Sequence, residues 1–103
     1  MHSIVLITAA NKKEAEIIAK KLIQDKLAAC VSIVSGIKSL FWWQGKVDRA
    51  KETLLIVKSR KEKFTKIVKS VKARHSYTVP EIIAIPIASG FKPYLQWIDE
   101  SLR

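Results

Sequence analysis

The chain has 103 residues, 49% of them hydrophobic, and 19 Lys and Arg against 9 Asp and Glu give a net charge of +10. That length makes a single domain, residues 1–103, with a modest core of its own, and the apolar fraction excludes intrinsic disorder. One cysteine cannot form an internal disulfide, no apolar run nears the ~20 residues that span a bilayer, and Met1-His2-Ser3 lacks a basic signal-peptide start. The expectation is a soluble cytoplasmic protein with no membrane association.

In chain order, Ser3 to Ala9 is short, apolar and β-branched, which predicts a buried strand. Asn11 stands three residues before Glu14, close to capping-box spacing. Ala15, Ile18, Ala19, Leu22 and Ile23 then form one apolar stripe on a helix ending near Lys26. Ala28 to Phe41 returns to strand character, with a bulge or bend expected at Gly36 and its serine neighbours. Trp43 to Lys46 reads as a hairpin tip, where Gly45 supplies the positive φ of a tight reversal. Val47 to Ser59 is the returning strand, strongest over Thr53 to Val57.

Arg60 to Arg74 predicts a second helix. Phe64, Ile67, Val68 and Val71 line its inner side, and Lys66, Lys69 and Lys72 lie opposite. His75 to Glu81 is a loop, because the residue before Pro80 is biased away from helix. Ile82 to Ala88 is a strand whose Pro86 places it at an edge or end. Pro93 to Leu102 closes the chain as a short helix. The order βαβ, hairpin, βαβ specifies an α+β fold: a ferredoxin-like split βαβ sandwich with two helices on one face of an antiparallel sheet.

Little in this sequence points to catalysis. There is no glycine-rich phosphate loop, CxxC, HExxH or GxSxG. Cys30, among small apolar neighbours, reads as a structural thiol. The dense cluster is His75 to Glu81, which puts an imidazole, a phenol and a carboxylate on a loop held between a helix and a strand. His75 and Glu81 are donor types for copper or zinc but only two of them, and both also suit helix capping and ion pairing. Trp42 and Trp43 are consecutive, so one ring is expected to join the core while the other projects from the hairpin. The segment from Lys38 to Arg74 carries +9 of the charge, which raises nucleic acid as a partner. Neither Thr53 to Val57 nor Ser3 to Ala9 carries the glycine-and-aromatic pattern of RNA-binding sheets, and the basic helix face reads as a solvated surface.

Taken together, Lys26-Leu-Ala-Ala-Cys30, Ser39 to Lys46, Glu52 followed by Lys58, His75-x-Tyr77-x-x-Pro80-Glu81 and Tyr94-Leu-x-Trp97 resemble one family, the CutA divalent-cation tolerance proteins. The resemblance covers essentially the whole chain. It implies a non-enzymatic, PII-like homotrimer with paired hairpins and no required cofactor. Its inter-subunit clefts would be lined by Trp43, Lys58, His75, Tyr77 and Glu81. It also implies a role in metal-ion response, with Cu2+ or another divalent cation as ligand. Where some relatives have further copper ligands this chain has Ile7 and Arg74, which leaves His75 and Glu81 as the metal candidates. The residues keep two rivals open: a PII-like sensor of a small anion drawn by Lys58, and a basic nucleic-acid-binding module.

Overall fold

The computed structural model describes all residues, 1–103. Strand β1 (His2–Ala9) leads to helix α1 (Lys12–Gln24), then to the long strands β2 (Cys30–Trp43) and β3 (Lys46–Arg60). A single 3-10 turn (Lys61–Lys63) starts helix α2 (Phe64–Lys72), followed by β4 (Ile82–Pro86) and α3 (Lys92–Ser101). The four strands form one antiparallel sheet in the order β2-β3-β1-β4. This is the expected α+β split βαβ plan. Pro86 sits on an edge strand, where its missing N–H costs no ladder bond.

Alternation along the strands separates two faces. Val5, Ile7, Ala9, Leu55 and Val57 turn to one side and pack with Ala15, Ile18 and Leu22 of α1 and Ile67 and Val71 of α2 into the main core. Asn11 caps α1 through Oδ1, which accepts from the Glu14 N–H at 2.8 Å. The opposite face is only partly covered. There α3 anchors one end: Ile98 is fully buried, and Asp99 accepts from Arg60 and pairs with His2. Beside it Val34, Ile83 and Ile85 remain 43 to 49% exposed, with Ile4, Leu6, Leu54 and Ile56 half-buried.

The β2–β3 hairpin outgrows the sheet. β1 pairs with β3 only from Thr53 to Arg60, so Lys46 to Glu52 has no neighbour but β2. The register breaks between Val34 and Ile37, with Gly36 at φ +73°, as a bulge requires. At the tip Gln44 and Gly45 both have positive φ, +51° and +76°, the pattern of a two-residue type I′ turn. The expectation that one of the paired tryptophans joins the core is corrected here. Trp42 is 76% and Trp43 59% exposed, because both lie at the tip of a ribbon that runs beyond its pairing with β1.

Candidate functional site

The protruding hairpin and the His75 to Glu81 loop face each other across an open cleft of about 950 Å³. Its wall takes Ser39, Phe41, Trp43, Asp48 and Glu52 from the ribbon, Thr8 from the end of β1, and Ser76 to Val79 and Glu81 from the loop. Strand alternation explains the ribbon's share. Phe41 pairs with Asp48 and Trp43 with Lys46, so these residues lie on the side that continues the half-open sheet face.

Three contacts hold the loop. The His75 side chain is fully buried; its Nε2 donates to the Thr8 carbonyl at 2.7 Å and its Nδ1 accepts from the Tyr77 N–H at 3.0 Å. Glu14 accepts from two backbone N–H groups, Ala10 through Oε2 and Ser76 through Oε1, both at 2.8 Å. Burial disfavours its charge, yet the hydrogen bonds from Ala10 and Ser76 outweigh that and hold its carboxyl below the ordinary range. Finally, the Tyr77 hydroxyl donates to Glu52 Oε2 at 2.9 Å. Burial, with the Glu52 bond second, pushes the Tyr77 phenol up to about 12. The Tyr77 ring also leans on the His75 ring, their centroids 4.8 Å apart.

Of the five residues expected at the site, Trp43, Tyr77 and Glu81 line one cleft. His75 stands behind it as a buried support. Both of its ring nitrogens are engaged within the chain, so in this geometry it has no lone pair to give a metal. Glu81 is exposed and free, but no three His, Cys, Asp or Glu side chains come close enough together to hold an ion. A metal centre on His75 and Glu81 is therefore not assembled within one chain.

Lys58 lies elsewhere. It pairs with Cys30 across the β2–β3 ladder, and its Nζ donates to Ser32 Oγ at 2.6 Å and to Cys30 Sγ at 3.8 Å. The thiol expected to be merely structural thus has a basic neighbour 28 residues away in sequence, which only the register of β2 on β3 reveals. Two residues that sequence reasoning did not place at the site belong to it. Glu52 is buried under Tyr77, and Glu14 spans from the helix cap to the loop. The signal for Glu52 was an isolated acid at the start of an apolar strand; for Glu14 it was the capping-box spacing.

The comparisons with known proteins agree with this architecture. The model of the CutA1 divalent ion tolerance protein family matches residues 3–101. A divalent-cation tolerance protein CutA of Archaeoglobus fulgidus is 55% identical over 103 residues, covering 100% of both chains. One from Thermus thermophilus is 48% identical, covering 98% of each. Among solved structures, a protein described as the periplasmic divalent cation tolerance protein CutA from Archaeoglobus fulgidus superposes with a TM-score of 0.97 at 54% identity, each chain covered completely. CutA1 from Oryza sativa does so at 0.96 with 45% identity, over 99% of this chain and 94% of that one. The chain belongs to the CutA1 divalent ion tolerance protein family.

Proposed function

We propose that this protein serves divalent-cation tolerance in the cytoplasm as a non-enzymatic homotrimer whose ligand site is the cleft between hairpin and loop. The observation that carries this reading is the cleft itself. In a member of this family, a fully buried histidine, a nearly buried glutamate and a helix cap are all spent on holding one exposed loop against one ribbon. Such over-determination of a loop is how a scaffold presents a binding surface. The trimer is supported by the half-open sheet face. Ile4, Leu6, Ile56, Ile83 and Ile85 form an apolar surface that a second copy would cover, and the free edge of the ribbon wants a strand partner. The single cysteine suits a reducing compartment.

Copper or another divalent cation remains the ligand class that the family's role implies, but we assign no ion to His75, since its ring is committed to Thr8 and Tyr77. The anion-sensing alternative loses support within one chain, because Lys58 is bound to Ser32 and no base lines the cleft. The test is complementation. A strain lacking its own family member and grown in elevated Cu2+ should be rescued by the wild-type protein and not by Trp43→Ala or Glu81→Ala, both exposed positions that leave the fold intact. Equal rescue by both variants would remove the cleft from the function.

A further inference from the structure

We propose that the outer face of α2 is a docking surface for the phosphate backbone of duplex nucleic acid. It is separate from the cleft and goes beyond the function proposed above. Both α1 and α2 pack on the core side of the sheet, opposite the half-open face left for a second copy. The outer face of α2 therefore stays free in the assembled protein.

Two helices of one layer differ in how they carry charge. On α1 the signs are interspersed, as on an ordinary solvated face. Glu16 stands four residues from both Lys12 and Lys20, and Lys21 pairs with Asp25 at 3.3 Å. On α2 they are not. Residues 61–74 hold six bases and one acid, and α2 itself carries Lys66, Lys69 and Lys72 with no acid at all. The one acid, Glu62, is engaged by Arg60 and the N-terminal amine. Lys61 and Lys63 add charge at the start of the helix, where the dipole disfavours cations and no side chain caps the backbone. Of these five lysines all but Lys63 are exposed, and none has an ion-pair partner. Neighbouring like charges on a helix repel, and a polyanion relieves that repulsion.

The residue types decide which polyanion. Lysines are point charges suited to phosphate contacts, unlike the arginine fork that reads base edges. This segment exposes no aromatic ring on which an unpaired base could stack, which favours a duplex over a single strand. Nor does it expose a large apolar side chain, which a helix lying in a membrane surface needs. Lys66 to Lys72 rises about 9 Å along the axis, and a duplex offers one charge per ~1.7 Å, so phosphates meet every lysine of the row.

The probe is a fluorescent duplex DNA of about 20 base pairs, titrated with the assembled wild-type protein and read by anisotropy at about 20 to 200 mM NaCl. Five lysine–phosphate contacts predict a slope of log affinity against log salt of about −4.5. Lys66→Gln, Lys69→Gln and Lys72→Gln together should flatten it to about −2. Lys12→Gln, Lys13→Gln and Lys20→Gln together remove the same charge from exposed positions of α1 and should leave the slope unchanged. No saturable binding at the lowest salt, or an equal change in the two triple variants, would overturn the proposal. So would binding to phosphatidylserine vesicles without binding to the duplex.

Discussion

Glu14 shows how one side chain couples local folding to the site. It closes the start of α1 by accepting from Ala10 and pins the loop by accepting from Ser76. Charge-assisted bonds of this kind are worth roughly 1.5–3 kcal/mol, so Glu14→Ala should cost about 2 kcal/mol in denaturant unfolding. The pH dependence follows from the direction of the shift. A carboxyl held below 4.5 in the folded state adds stability that is fully present above pH 4.5 and is lost as pH falls through the lower folded value. Glu14→Gln should therefore lose less stability than wild type on acidification, measured by thermal melts across that range.

Tyr77 is linked in the other direction. Its phenol is raised from 10.0 to about 12, so its contribution is complete below pH 10 and fades between 10 and about 12. Phenolate absorbance should show no tyrosine ionising at the ordinary value, because Tyr94 is also raised, by burial first and by Cys30 second. Glu52→Gln should move the Tyr77 step back toward 10, though not all the way, since burial is the larger cause. At this scale the sequence was only half informative. His75, Tyr77 and Glu81 stand out within seven residues, but the partners of His75, Ser76 and Tyr77, namely Thr8, Glu14 and Glu52, lie 25 to 67 residues away, and no local pattern encodes a hydrogen bond across that distance.

Among the elements, those defined by periodicity were legible. The stripe of α1, the amphipathic α2 and the alternation of β3 all follow from residue spacing, and the bulge and hairpin turn follow from glycines placed where only positive φ will serve. Gly36 and Gly45 have open space around the position of a Cβ, so replacing either tests backbone conformation alone. Gly45→Val should cost about 1–2 kcal/mol, whereas Gln44→Asn, at the other positive-φ position, should be neutral or slightly stabilising. Both read out as shifts in the unfolding midpoint. What the elements did not reveal is where the hairpin goes. Consecutive tryptophans on a strand predict one ring in the core and one projecting, and only the length of β3 beyond its pairing with β1 shows that both Trp42 and Trp43 lie outside the core. The same extension brings Trp43 to the cleft. The site is thus a product of strand length as much as of residue type.

For the whole molecule, charge and apolar surface divide by face. The lysines of α2 at 66, 69 and 72 are exposed and carry no ion pair, so part of the excess charge lies on the helix side, and the hairpin bases Lys46, Arg49 and Lys51 carry more of it. The far side of the sheet is apolar and half covered by α3. A trimer built sheet to sheet would turn the lysines of α2 outward. Ile83 and Ile85 sit on the surface that would close, on an edge strand with little to unfold. Ile85→Lys should leave the chain folded by circular dichroism but shift it toward monomer, since a charge buried between copies is strongly unfavourable. Sedimentation equilibrium of the wild-type protein across a range of concentrations is the most direct measurement. A mass of about 35 kDa, three times the 11.7 kDa of one chain, is the predicted result. A concentration-independent mass of 11.7 kDa would mean that the apolar sheet face stays in water, and would contradict the account at its centre.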